Sequence, residues 1–415
     1  MARAMKDSGI EWIGEIPDSW GFARIGSLYT LRNTKVSDTD YPPLSVTNKG
    51  IVPQLETAAK TNAHDDRKLV KQGDFAINSR SDRRGSCGIS RCDGSVSLIN
   101  TILAPNSEMN PQYYDWLFHT VQFADEFYKW GHGIVDDLWT TGWQDMKRII
   151  IPLPSLEEQE IIASFLDVEC AEIDALMADV QAQIATLEQY KRSVITEAVT
   201  KGLNPNVPMK DSGTDWMGMV PRKWVRTRIK YCLCEIDLRS ITGKEEPLSM
   251  SQRFGIIPTS QIDVPHSLAS YVGAKIAHPG DLVFNKLKAH LGVFSVSQYT
   301  GLVSPDYAVY RAYEKVNAKY LEYLFKTDAC IAEFKKRITG VGQGLSRLYT
   351  SDLFAICVAI PQKVEQDTIV KKLDAKCAEI DAIIEGKRQQ LSTLEEYKKS
   401  IIFEYVTGKK EVPVA

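Results

Sequence analysis

Cationic side chains gather at two matching points of this sequence. The apolar run DFAIN (74–78) leads into SRSDRRGSCGIS, which groups Asn78, Ser79, Arg80, Arg83 and Arg84 ahead of a glycine. The run DLVFN (281–285) leads into KLKAHLGVFS, which groups Asn285, Lys286, Lys288 and His290 at the corresponding point. Arginine and lysine hold phosphates or read guanine edges, and Ser, Asn and Gln read other base edges. One such loop alone is most simply solvated, with Asp82 neutralising an arginine. Two at equivalent places favour contact with DNA. The segments PLSVTNKGIVP (43–53) and PLSMSQRFGIIP (247–258) add Lys49 and Arg253 shortly before a Gly-Ile step. Trp130, Trp139 and Trp143 offer faces that stack on bases or fill a core, and at least one is expected in the core.

Other chemistry lacks its residues. The sequence holds no GxxxxGK[ST] phosphate loop, no HExxH and no GxSxG elbow. GVGQGL (340–345) follows a helical pattern rather than a strand, which argues against a dinucleotide loop. The six histidines lie far apart, and only His132 and His290 sit near glycines. Cys87 and Cys92 have no second pair at zinc-site spacing, while Cys232 and Cys234 point the same way if their stretch is a strand. The eight cysteines read together as reduced, mostly buried thiols of a cytoplasmic protein. No apolar run approaches the roughly 18–20 residues of a membrane span, and no apolar core follows the first positive charges as a secretory signal requires.

These loops sit in a frame that occurs twice. Residues 5–25, MKDSGIEWIGEIPDSWGFARI, return at 209–229 as MKDSGTDWMGMVPRKWVRTRI, and 187–202, LEQYKRSVITEAVTKG, return at 394–409 as LEEYKKSIIFEYVTGK. So long a period implies a whole domain plus a connector in each copy. The spacing predicts a mixed α/β module over 1–153 and another over 209–360. Short strands are expected at 74–78, 281–285 and 307–310, and helices at 116–130 and 323–338. The connectors, 154–208 and 361–415, each read as a helix of some 40–45 residues or two helices end to end. Their stripes are Ile173, Leu176, Val180, Ile184, Leu187, Tyr190 and Val194, and Ile380, Ile383, Lys387, Leu391, Leu394, Tyr397 and Ile401. Gly202 and Gly408 stand where C-terminal caps belong. Two such stripes most simply bury each other in an antiparallel coiled coil with one module at each end, against unrelated helical tails.

Charge follows the same division. The whole chain carries -3, yet 154–208 holds 3 basic and 10 acidic residues while 209–360 holds 20 and 14. The acidic connector suits a docking face for proteins, and a local basic face still binds phosphates when the total is negative.

These residues closely resemble the specificity subunits of type I restriction–modification enzymes. The resemblance rests on SGIEWIGEIPDSW and SGTDWMGMVPRKW, GDFAIN and GDLVFN, DGSVSLINTIL and TGLVSPDYAVY, PLPSLEEQEIIASFLD and PQKVEQDTIVKKLD, and EIDAL, EIDAI and LEEYKKSII, in the family's order. It implies an α/β (α+β) fold with a pseudo-twofold internal repeat: two target-recognition domains, each reading half of a bipartite double-stranded DNA site, with the helices as spacers. It also implies a chain without catalytic activity that recruits two methylation subunits and restriction subunits. S-adenosylmethionine, ATP and Mg would sit on those partners, and no cofactor on this chain. Glu157, Glu158 and Gln159, and Glu365 and Gln366, fall on the family's EQ motif and are the expected partner-binding residues. The second copy departs from the pattern, PQKVEQ lacking the usual second proline. A stand-alone DNA-binding regulator and a DNA methyltransferase with an unrecognised active site are the competing readings.

Overall fold

The structure, a computed structural model, describes residues 3–54, 65–80, 83–106, 109–133, 139–252, 254–262, 271–338 and 347–413. Arg253, Asp82 and the 340–345 stretch lie outside them. Two compact units emerge, one of residues 1–181 with 389–415 and the other of residues 182–388.

In the first unit, the short apolar runs become strands because side chains on both faces have partners to pack against. Phe75–Asn78 is buried at every position and lies between Cys87–Ile89 and Asn100–Pro105, with Tyr29–Arg32 completing an antiparallel four-stranded sheet. A smaller sheet orders Gly94–Ser97, Arg67–Val70 and Lys35–Val36. In the second unit, Leu282–Asn285 lies between Phe294–Val296 and Tyr307–Ala312, and Leu233–Ile236 closes the sheet. The strand order matches that of the first unit. Cys232 falls just before the Leu233–Ile236 strand, so the two cysteines do not share a strand face.

Each expected helix over 116–130 and 323–338 is in fact a pair. Pro111–Phe118 ends before Val121–Lys129, and Ala318–Phe325 before Asp328–Arg337. Thr120 and Thr327 divide them, their side chains accepting from the Phe123 and Cys330 amides as N-caps. The fully buried tryptophans are Trp20 and Trp224, each 1% exposed, whereas Trp130, Trp139 and Trp143 are half-buried.

The long helices, Leu156–Lys201 and Lys363–Val406, are each continuous and pack together. Ser155 caps the first, its hydroxyl accepting from the Glu158 amide at 3.3 Å while the Glu158 carboxylate accepts back from the Ser155 amide. Gly202 and Gly408 follow with φ of 77° and 70°, the left-handed region that favours glycine. In the first unit Phe165 meets Tyr405 with ring centroids 4.6 Å apart, and Lys398 Nζ reaches Asp174 at 2.6 Å. In the second, Arg388 pairs with Glu188 at 3.2 Å and Lys191 with Asp381 at 2.6 Å. Within each unit the paired positions rise along one helix as they fall along the other, so the segments run antiparallel.

Most of each expected stripe is buried or half-buried, and two positions in each are not. Leu176, Tyr190, Ile383 and Tyr397 are exposed, and Met177 and Ile384 turn inward instead. Ile173, Met177, Val180, Ile184 and Leu187 alternate steps of four and three, the spacing that keeps one seam facing a partner helix.

Candidate nucleic-acid interface

The first cationic loop leaves the sheet at Asn78, which is 9% exposed. Its side-chain oxygen accepts from the Arg80 amide at 3.1 Å, turning the chain as the strand ends. The Ser79 hydroxyl is 2.9 Å from that of Thr101 on the neighbouring strand. Beyond this anchor Arg80 is half-buried, while Arg83 and Arg84 are exposed. Arg84 pairs with Asp125 at 2.9 Å and lies 4.0 Å over the Tyr128 ring, an arrangement that holds the guanidinium flat. Trp139 braces the same wall, donating from Nε1 to the Tyr128 carbonyl at 3.0 Å. The hairpin Leu44–Thr47/Gly50–Pro53 comes so close that a Cβ on Gly88 would sit 2.8 Å from Gly50 Cα, which brings exposed Lys49 alongside the strand that receives the loop.

The second loop repeats this arrangement with different side chains. Asn285, also 9% exposed, accepts from the Leu287 and Lys288 amides at 3.1 and 3.2 Å. Lys286 is half-buried and its carbonyl accepts from Leu348, while Lys288 is exposed. Neither lysine forms an ion pair among the described residues. The hairpin Leu248–Ser251/Gly255–Pro258 is tied to this loop through Gln252, whose side chain donates to the Leu291 carbonyl at 2.9 Å.

The geometry places several of the expected residues. Asn78 and Asn285 spend their side-chain oxygens on the loop backbone and so position the cations that follow. His290 is half-buried in the turn Ala289–Leu291, which packs on Asp328–Arg337; its Nδ1 is shielded and takes no hydrogen bond among the described residues. Gln159 and Gln366, 1% and 0% exposed, face inward. Each bonds with both ends of its amide: Gln159 accepts from the Asn110 amide at 2.9 Å and donates to the Pro154 carbonyl, and Gln366 accepts from Asn317 at 2.8 Å and donates to Pro361. They fasten each long helix to its unit.

The glutamates beside them stay accessible. Glu157 and Glu365 are exposed, and Trp20 and Trp224 donate to Glu158 and Glu365 at 3.1 Å. Partial burial pushes the Glu158 carboxyl up, but hydrogen bonds from Trp20 and Arg3 outweigh this and hold it below its usual range. These tryptophans were readable as repeated residues, yet nothing in their spacing revealed the carboxylate each would seek.

One grouping resembles a nucleophile site. Cys87 Sγ lies 3.7 Å from His119 Nε2, and His119 Nδ1 stands 3.5 Å from Asp115 Oδ1. The thiol is wholly buried, however, and burial pushes it well above its ordinary value, away from the thiolate that attack requires. Burial likewise raises Cys170 to about 11 and Cys232 to about 12. Among the described residues no group of three or more His, Cys, Asp or Glu is placed to hold a metal ion, and no helix is long and apolar enough to cross a membrane.

Residues 17–186 match the family model of the type I restriction modification DNA specificity domain. Over this stretch the chain is similar to that DNA specificity domain. It is 26% identical to the MjaVIII specificity subunit of Methanocaldococcus jannaschii over 77% of this chain and 76% of that relative. Identity to the putative MjaX specificity subunit of the same organism is also 26%, over 64% of this chain; the match spans 60% of that relative's own length. A chain solved in work on assembly and conformational transition of the type I restriction–modification system shares the fold, with a TM-score of 0.66 at 15% identity over 95% of this chain and 99% of that one.

Proposed function

We propose that this chain is a type I restriction–modification specificity subunit that reads a bipartite double-stranded DNA site, one half with each of two target-recognition domains at 1–153 and 209–360. Its helical connectors, 154–208 and 361–415, hold the halves at a fixed spacing as an antiparallel coiled coil. The reading is carried by one observation: a cationic loop, turned by a buried asparagine, recurs at the same point of two units. The chain itself does no catalysis on this reading. It works in the cytoplasm and assembles with two methylation subunits and with restriction subunits, which supply the sites for S-adenosylmethionine, ATP and Mg. Exposed Glu157, Glu160 and Glu365 then form part of the docking face.

Methylation-sensitive sequencing of a genome expressing this chain with a type I methylation subunit tests the proposal. One split motif should be modified, and loss of Arg83 and Arg84 should relax one half while loss of Lys286 and Lys288 relaxes the other. A chain that binds DNA but never purifies with the methylation subunit would instead be a regulator. Methyl transfer by the purified chain alone would make it an enzyme. Four residues added to both helices, between Ala182 and Gln183 and between Gln389 and Gln390, lengthen the connector by about 6 Å. The gap between the halves should change while their sequences stay fixed.

A further inference from the structure

Outside the loops, a dense run of positive charge lies on and around the short strand Val225–Arg228 of the second unit. Residues 222–230, RKWVRTRIK, hold five cations and no acid. Arg222, Lys223, Arg226, Arg228 and Lys230 are all exposed, while Trp224 and Ile229 between them are 1% and 0% exposed. The backbone is thus nailed to the core, and the cations project from it. None of the five forms an ion pair among the described residues.

Neighbouring elements offer little compensation. Among the described residues the strand Val225–Arg228 pairs only with Cys357–Ile360, which carries no charged residue. Arg226 packs beside Gly213, but Asp211 and Asp215 on that turn make no ion pair with it, and Asp211 instead accepts from the Gly213 amide at 2.8 Å. The short helix Thr350–Ala355 brings one acid, half-buried Asp352.

The matching stretch of the first unit is 18–26, DSWGFARIG. The same strand and the same buried tryptophan are present, but Asp18, Ser19, Phe22 and Gly26 stand where Arg222, Lys223, Arg226 and Lys230 do, and only Arg24 matches Arg228. The frame therefore does not need these cations to fold.

We propose that this strip is a DNA-backbone contact belonging to the second unit alone, which clamps phosphates beside the half-site that unit reads. The inference rests on the DNA-reading function proposed above. Continuity with the candidate interface supports it. The Lys286 carbonyl accepts from Leu348, the Thr350–Ala355 helix follows, and the Ile356 carbonyl at its far end accepts from Ile229, beside Lys230. Six residues of helix bridge only about 9 Å. Arg226 and Arg228 share a strand face about 6.8 Å apart, twice the roughly 3.4 Å axial rise per phosphate of one DNA strand. Tyr231, 64% exposed under the Lys230 ammonium at 4.8 Å, adds an aromatic face to the end of the strip.

The test is a salt titration of the full chain with a labelled duplex of arbitrary sequence. R226A/R228A/K230A should lower the slope of log K against log salt by about 2.7, at about 0.9 for each phosphate no longer neutralised. R226K/R228K should keep the wild-type slope, and R24A in the first unit should remove no more than about 0.9. An unchanged slope in a triple variant that melts and elutes like wild type would overturn the proposal. So would an unchanged slope with loss of the methylation subunit from the complex, since the strip would then be a protein-docking surface. Either result, obtained while the loop variants lose sequence preference, leaves the DNA-reading function standing. A wild-type chain that binds no duplex would overturn that function itself.

Discussion

Asp115 in the first unit and Glu322 in the second occupy the same point of the frame, one turn along the first helix after each four-stranded sheet, and their surroundings drive them in opposite directions. Burial raises the Asp115 carboxyl; His119, and more weakly Arg91 and the Ile89 backbone, oppose the rise, and Asp167 adds to it. Its Oδ1 is shielded and takes no hydrogen bond among the described residues, His119 Nδ1 lying instead 2.7 Å from the Asp115 carbonyl oxygen. Burial also pushes Glu322 up, yet Lys326 at 2.6 Å and Lys319 at 3.0 Å reverse the shift, helped by the Val296 amide at 2.9 Å. At the lysine positions the first unit has His119 and Gln112. The frame fixes where a carboxylate stands and leaves its ionisation to the neighbours.

A second contrast concerns the helices. Phe165 and Tyr405 pack ring against ring in the first unit, whereas Lys372 and Ala198 hold the matching positions in the second. Without the two rings a groove of about 1010 Å³ opens there, lined in part by Val194, Leu203, Met209, Met219 and Lys372. Both units nevertheless keep the bonds that fasten helix to module, namely the tryptophan on a glutamate, the glutamine across two backbones and a tyrosine on the helix end. Divergence has entered through side chains that pack on the frame, and those that satisfy its backbone have stayed.

The largest expected effects should be alike in the two units. Trp20→Ala and Trp224→Ala each remove a wholly buried indole and the hydrogen bond it gives to a glutamate, and each should cost about 3–5 kcal/mol in chemical denaturation. A variant costing less than half of its counterpart would show that the units do not rely on the shared frame equally.

Glu322→Gln against Asp115→Asn should separate the units by sign. The Glu322 carboxyl is depressed on folding, so its contribution is present above the unfolded value of 4.5 and is lost as pH falls through the folded value. Glu322→Gln should therefore destabilise by about 1–3 kcal/mol at neutral pH, with the gap to wild type closing below that value. Asp115 is raised on folding, so its contribution is full below 3.8 and is lost as pH rises through the folded value. Asp115→Asn should thus be neutral or stabilising at pH 7, which denaturation midpoints across pH would reveal. Equal losses for both variants would contradict the opposed environments.

Much of this was legible in the sequence for identifiable reasons. Strands at 75–78 and 282–285 follow from short apolar runs closed by turn residues, and the long helices from stripes that no proline interrupts. Thr120 and Thr327 misled because a threonine inside a helical pattern is indistinguishable from an N-cap until the chain turns. Leu176 and Ile383 entered the expected stripes because Met177 and Ile384 beside them are equally apolar, and only a partner helix selects between such neighbours. Asn78, Asn285, Gln159 and Gln366 look outward-facing by type. Backbone amides and carbonyls with no other partner draw them inward, and that demand becomes visible only once strand ends and helix starts are placed.

The smallest expected effect probes how each long helix ends. Tyr113 OH donates to the Val406 carbonyl at 2.6 Å, and Tyr320 OH to the Val199 carbonyl at 3.0 Å. Both phenols are fully buried, and both carbonyls belong to the last turn, where a helix runs out of amides to bond. Tyr113→Phe and Tyr320→Phe keep the ring packing and remove only the donor. Each should cost about 1 kcal/mol, the shorter bond of Tyr113 somewhat more. Gly408 and Gly202 bond back to Tyr405 and Ala198 rather than to these valines, so the turn cannot recover the loss by itself. Amide exchange should accordingly quicken in the final turn of the helix whose tyrosine is changed, while the other helix end keeps its wild-type rate. Exchange that quickens at neither end would mean that water replaces the phenol at no cost, and that the shared tyrosine serves its unit through its ring alone.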